Sequence, residues 1–234
     1  MPNKQELRDL FSSPFTEYLF FLFNWYFNRI KQKNKNLYQC YMSILKSSEI
    51  GQGVKIYPYA KVNQSKIGSY TYIGVSTIVF KATIGKFCSI GQNCNIGIGS
   101  HPIHFVSTSP VFYSTRNQLH TTFVDEDSYS QEEEFLPVII GNDVWIGNNV
   151  TIKGNIHIGD GAVIGNGAIV TKNIPSYAVY AGVPAKLIRF RFSDEIIDFL
   201  LKIKWWEKDE LWLKENHKTF RDIYTFYNNF SQAS

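Results

Sequence analysis

From Ile139 to Lys172 the chain reads IIGNDVWIGNNVTIKGNIHIGDGAVIGNGAIVTK, with an aliphatic residue at every sixth position: Ile140, Ile146, Ile152, Ile158, Ile164 and Val170. A glycine follows four of them, at Gly141, Gly147, Gly159 and Gly165, and Val144, Val150, Ile156, Ala162 and Ala168 stand two positions before the later five. Each unit thus offers two residues facing the same way and then breaks, which matches neither a helical period nor a long alternating strand. The glycines are expected to supply corners with φ > 0, a conformation β-branched residues resist. Short strands joined by corners at a fixed period predict a β-solenoid of six-residue units.

The same period returns in rougher form at Ile50, Ile56, Val62, Ile67, Ile73, Ile78, Ile84, Ile90 and Ile96, with two intervals of five. Inward partners are expected at Ala60, Ser65, Thr71, Ala82, Cys88 and Cys94. Between the two blocks, residues 98–138 drop the pattern and carry SHPIHF, the acidic VDEDSYSQEEEF and Pro137. An irregular excursion this long inside a regular scaffold points to function. Its acidic residues, taken alone, read as a solvated face.

These periods divide the chain into a helical N-terminal segment at 1–48, a solenoid at 49–190 with its insertion at 98–138, and a helical C-terminal segment at 191–234. Ser193, Asp194 and Glu195 make a helix start ahead of Ile196, Leu200 and Ile203, and Leu213, Phe220, Ile223, Tyr227 and Phe230 suggest a second helix. These helices should cap the solenoid or pack against it, covering an open sheet edge. Trp205 and Trp206 read as packing anchors.

With 44% hydrophobic and 16% aromatic residues the chain is a folded one, and a net charge of +4 with scattered Lys and Arg does not suggest nucleic acid as a partner. Cys40, Cys88 and Cys94 lack the spacing of a disulfide or zinc framework; free thiols suit a reducing, cytoplasmic location. MPNKQELRDLF has no secretory-signal pattern, and YLFFLFNWYF at residues 18–27 is shorter than the roughly 20 apolar residues a spanning helix needs. That aromatic run, followed by RIKQKNK, reads either as an interfacial helix on anionic lipid or as a helix packed on its own solenoid or a neighbouring subunit. The first reading would hold the protein at the inner face of the cytoplasmic membrane.

Three hexads per triangular coil would stack residues 18 apart, one strand spacing of about 4.8 Å away. Asn148 and Asn166 are so related, and a further step of 18 reaches Pro184 in AGVPAK. One edge would then carry both asparagines and the GVPAK turn, able to hold an extended ligand arm, with Lys172, Lys186 and Arg189 near its far end for a phosphorylated head. Trp145 falls in an outward slot, walling that groove or meeting another subunit. His157 is also outward, and reads as a surface or intersubunit residue. His101 and His104 stand where the chain leaves the first block. An imidazole there can accept a proton from an attacking hydroxyl or amine, and a structural loop histidine fits equally well.

Residues 50–189 resemble the left-handed β-helix (hexapeptide-repeat) acyltransferases that use acetyl-CoA, most closely in IGNDVWIGNNVTIKGNIHIGDGAVIGNGAIVTKNIP followed by AGVPAK. IGKFCSIG at 84–91 and the WW-containing C-terminal segment are similar to the xenobiotic branch, related to chloramphenicol and streptogramin acetyltransferases, and SHPIH is similar to the catalytic segment of galactoside and maltose acetyltransferases. The resemblance implies a left-handed coil and a homotrimer with active sites between subunits. It implies His101 as general base, Trp145 beside the acetyl group, Asn148 and Asn166 on the thiol and pantetheine end, and Thr171, Lys172, Lys186 and Arg189 towards the nucleotide end. No metal is expected; His101, His104 and His120 lack the spacing of the zinc carbonic anhydrases built on the same solenoid. The acidic insertion is longer than the drug-binding loop of the xenobiotic branch, so the expected acceptor is a sugar hydroxyl of a bacterial surface polysaccharide or its precursor. An amino sugar, often nucleotide-linked, or an antibiotic is the alternative.

Overall fold

The computed structural model describes residues 13–116 and 118–231; the MPNKQELRDLF expectation lies outside them. Three sheets of very short strands form the sides of a prism. Sheet A contains β1 (Tyr38–Gln39), β4 (Lys55–Ile56), β7 (Tyr72–Ile73), β10 (Ser89–Ile90), β13 (Trp145–Ile146), β16 (Val163–Ile164), β18 (Ala178–Ala181) and β19 (Lys186–Phe190). Sheet B contains β2 (Ile44–Lys46), β5 (Lys61–Asn63), β8 (Ile78–Phe80), β11 (Asn95–Ile98), β14 (Thr151–Lys153) and β17 (Ile169–Val170). Sheet C contains β3 (Glu49–Ile50), β6 (Lys66–Ile67), β9 (Ala82–Ile84), β12 (Val138–Ile140) and β15 (His157–Ile158). The chain passes A, B, C in turn, so each rung pairs in parallel with the next coil, and among the described strands only β18 and β19 are antiparallel. This is the expected parallel β-solenoid.

The repeat aliphatics point inward: Ile56, Ile73, Ile90, Ile146, Ile152, Ile158 and Ile164 are all fully buried. Each contributes on the order of 1.5–3 kcal/mol by leaving water. Cys88 and Cys94 fill inward slots as expected, and burial pushes the Cys88 thiol up to about 12. One register expectation is corrected: Val79, not Ile78, is the inward rung, for Val79 is buried and Ile78 is 43% exposed. Val79 pairs with Val62 and Ile96, moving the short interval to the step from Val79 to Ile84. The short steps then all turn the corner from sheet B to sheet C, and this BC corner is where the excursion leaves the prism.

The repeat glycines also serve a different purpose from the one expected. Left-handed φ belongs to the residue two places on: Asp143 (54°), Asn149 (58°), Gly161 (67°) and Gly167 (70°). The repeat glycine is needed because adjacent coils nearly touch there. A Cβ on Gly91 would lie 2.6 Å from the carbonyl carbon and oxygen of Gly147, and one on Gly147 would lie 2.4 Å from Asn166 Oδ1.

The solenoid starts earlier than residue 49. The helix α1 (Pro14–Lys31) ends well short of residue 48, and β1 and β2 already form rungs, with Ser43 and Leu45 buried in inward slots. Helix α1 begins with a Ser13–Thr16 capping box and lies on β2, the edge of sheet B. Its asparagines satisfy that edge: Asn24 Nδ2 and Asn28 Nδ2 donate to the Leu45 carbonyl at 2.8 and 2.9 Å, and Leu45 N donates to Asn24 Oδ1 at 3.1 Å. Asn24→Ala would strand the Leu45 N–H, and is expected to lower stability by about 1–3 kcal/mol in denaturant unfolding. An unchanged midpoint would show that water serves this edge as well as the side chain does.

The four-residue helix α2 (Gln131–Glu134) lies in the excursion. Beyond β19, α3 (Asp194–Ile203), α4 (Glu210–Asn216) and α5 (Ile223–Phe230) build a second core of Tyr177, Ile196, Ile197, Phe199, Leu200 and Phe226. The single second helix expected from Leu213 to Phe230 is thus two, separated by a 3-10 turn at Thr219–Arg221. This group packs on the corner between sheets C and A: Phe87 meets Trp205, Lys86 Nζ donates to the Trp206 carbonyl, and Arg191 pairs with Asp143 at 3.0 Å. The last edge of sheet A is covered by β19, not by a helix.

Candidate active site

The excursion is a folded unit. Tyr113, Ser114 and Val111 are buried, Ser128 N donates to the Tyr113 carbonyl, and Arg116 is ion-paired with Glu134. Part of the acidic run is therefore structural, whereas the sequence reads as a solvated face. Glu133 completes a capping box with Ser130, and Asp127 takes the N–H and hydroxyl of Thr115, hydrogen bonds that hold its carboxyl below the usual range. Asp125, Glu126 and Glu132 remain exposed.

His101 sits at the start of this unit with an exposed ring. Its Nδ1 lies 3.0 Å from the Thr108 carbonyl and 2.7 Å from the Tyr113 hydroxyl. A carbonyl only accepts, so the bond to Thr108 assigns the hydrogen to Nδ1 and leaves the lone pair on Nε2. That is the tautomer a proton acceptor requires. Tyr113 in turn packs edge-on against Tyr129, whose hydroxyl lies 3.1 Å from Ser100 Oγ and donates to the Glu133 carbonyl. This support was not legible in the sequence, since nothing in the spacing of VFY marks Tyr113 as a neighbour of His101. His104 is exposed against Phe105, and His120 is exposed at a left-handed turn. Among the described residues no group of three or more His, Cys, Asp or Glu is arranged to hold a metal ion.

The cofactor-binding candidates divide over the prism. Asn148 and Asn166 stack at the AB corner as their spacing requires: Asn148 N donates to Asn166 Oδ1 at 2.7 Å, and Gln92 N donates to Asn148 Oδ1 at 3.0 Å. Their side-chain carbonyls are thereby committed to binding one coil to the next, leaving the amide N–H groups to face outward. A matching ladder of Asp160, Asn142 and the Lys86 N–H runs up the CA corner. Trp145 is 55% exposed on face A, in register between Ser89 and Val163.

The GVPAK turn does reach the AB corner, shifted by two residues. The last coil is short, with Val163 opposite Val179, so Gly182 rather than Pro184 follows Asn166; the Gly182 carbonyl takes the Ile169 N–H, and Ala185 N donates to the Ile169 carbonyl. The turn reverses the chain into β19, which keeps Lys186 at this corner and carries Arg189 back along face A, opposite Val179. Thr171 and Lys172 follow β17 and lie at the BC corner, the corner of His101. Lys172 and Arg189 therefore do not share the asparagine edge, contrary to the expectation. Within one chain, face B separates His101 from Trp145, Asn148, Asn166 and Lys186. His157 faces outward from sheet C, as expected.

Residues 137–172 match the family model "Bacterial transferase hexapeptide (six repeats)". This segment carries hexapeptide repeats. A chloramphenicol acetyltransferase of Klebsiella aerogenes is 39% identical to this chain over 131 residues, 55% of this chain and 60% of that one. A probable macrolide acetyltransferase of Lysinibacillus sphaericus is 43% identical over 68 residues, 29% of this chain and 38% of the relative. The chain thus spans at most about 60% of the length of these curated relatives. Among solved structures, the N-acyltransferase AntD from Bacillus cereus, in complex with dTDP and 3-hydroxybutyryl-CoA, matches across 76% of this chain and 94% of its own. The TM-score is 0.53 at 18% identity, a likeness of fold.

Proposed function

We propose that the protein is an acetyl-CoA-dependent O-acetyltransferase that works as a homotrimer on a sugar hydroxyl of a bacterial surface polysaccharide or its precursor. The observation that carries this reading is the hydrogen bond from His101 Nδ1 to the Thr108 carbonyl, which leaves a basic nitrogen on an exposed ring. In this reading Nε2 removes the acceptor hydroxyl proton as that oxygen attacks the thioester carbonyl. The bond to sulfur then breaks, and the same nitrogen returns the proton to the departing thiolate. Relatives named as acetyltransferases and a fold-mate bound to an acyl-CoA support the co-substrate.

The division of candidates between two corners supports the trimer. A threefold arrangement that sets the BC corner of one copy against the AB corner of the next would join His101, Thr171 and Lys172 of one subunit to Trp145, Asn148, Asn166 and Lys186 of its neighbour. Arg189, on face A, would then approach the groove from the side.

The sugar acceptor is favoured by the folded excursion that carries His101, a structured unit beside the proton acceptor. A second reading, acetylation of an antibiotic, is favoured by the 39% identity to a chloramphenicol acetyltransferase. The test is purified protein with acetyl-CoA and, separately, an oligosaccharide with free hydroxyls, an amino sugar and chloramphenicol, following thiol release and the mass of the product. Ester formation on the oligosaccharide is the expected result. Transfer to the amino sugar or to chloramphenicol alone would replace the acceptor assignment, and no thiol release with any of them would end it.

A further inference from the structure

Helix α1 is built inside out. Its polar residues Asn24 and Asn28 face the solenoid and bond to the edge strand, while Phe21 is buried beside them. The helical turn puts Phe15, Leu19, Phe23, Tyr26, Phe27 and Ile30 on the opposite side, where each is between 47% and 69% exposed. A soluble helix presents the reverse pattern, and contiguous apolar patches of this kind mark an interaction surface. Charge narrows the occupant. The last turn carries Arg29 and Lys31, which flank the two edges of the apolar arc, and Lys33 follows, all exposed; the one acidic residue of the helix, Glu17, is in the first turn on the other side. Arg29 lies over the Trp25 ring at 5.1 Å, its charge held at the margin of the aromatic surface.

We propose that this face docks on an anionic lipid bilayer. The aromatic side chains would enter the boundary between headgroups and acyl chains, with Arg29, Lys31 and Lys33 among the phosphates. A single such helix gives reversible attachment, and no helix among the described residues is long and apolar enough to cross a membrane. Because α1 caps the first coil, that end of the prism is brought to the lipid and the excursion is left free. Phosphatidylglycerol-containing vesicles are the matching partner; phosphatidylcholine alone offers the apolar layer without the net charge.

The experiment is cosedimentation of the full chain with vesicles of phosphatidylcholine, with and without phosphatidylglycerol. The protein is expected to sediment with the anionic vesicles, and its partitioning to fall at least about tenfold when salt is raised to about 0.5 M. Phe23→Ser with Phe27→Ser, and separately Arg29→Glu with Lys31→Glu, should each lower partitioning by a similar factor while leaving the thermal unfolding midpoint and acetyl transfer to a soluble acceptor unchanged. Failure to bind anionic vesicles would overturn the proposal, as would binding at the wild-type level by both double variants. A third overturning result is that Phe23→Ser with Phe27→Ser reduces the oligomer in sedimentation velocity while wild type ignores vesicles, which would assign the face to a second copy of the chain. None of these outcomes depends on the chemistry at His101.

Discussion

Replacing His101 by alanine is expected to lower acetyl transfer at least about 100-fold, the lower end of what a positioned general base contributes. Binding of coenzyme should persist, because the AB corner and its asparagine ladder do not touch His101. Activity within tenfold of wild type would remove this residue from the mechanism. Tyr113→Phe sharpens the test. That variant deletes one partner of Nδ1 but keeps the Thr108 carbonyl, which alone dictates the tautomer, so the loss in kcat should be less than about tenfold. Were Tyr113→Phe as damaging as His101→Ala, the carbonyl would not be what fixes the proton.

Gly91→Ala is expected to lower stability by about 3 kcal/mol, the upper part of the range for overpacking, and the melting temperature by roughly 6–12 °C. The added methyl would stand 2.6 Å from backbone atoms of Gly147, which cannot rotate away. Gly167→Ala is the contrasting substitution. Nothing lies within 4 Å of its Cβ, and only the left-handed φ of 70° opposes it, a penalty of about 1 kcal/mol. If Gly167→Ala proved the more damaging of the two, conformational freedom rather than close stacking would be what the solenoid asks of glycine.

The hexads made the architecture readable because a rung every six residues leaves few ways to turn a corner. They could not distinguish Ile78 from Val79, two adjacent aliphatics of which only the pairing with Val62 and Ile96 decides the inward one. Spacing alone found the Asn148–Asn166 stack, since both lie in coils of constant length. It failed by two residues in the next coil, which is shorter, so that Gly182 takes the place expected of Pro184. For His101 the sequence offered a residue type in an HP context. Its carbonyl and hydroxyl partners lie within an irregular fold that no period announces. The same holds for α1, whose aromatic run was visible while the direction it faces rests on Asn24 and Asn28 reaching the edge strand.

One consequence follows from where the excursion is rooted. Ile96 is held by Val79 and Ile152, and Ile140 by Ile84 and Ile158, so both ends of the insertion are anchored in neighbouring coils that never contain it. The fourth coil closes identically whatever is spliced between those two rungs. The excursion is therefore an exchangeable cassette: a segment of another length or composition could be grafted there, and the prism with its AB groove would keep its registration.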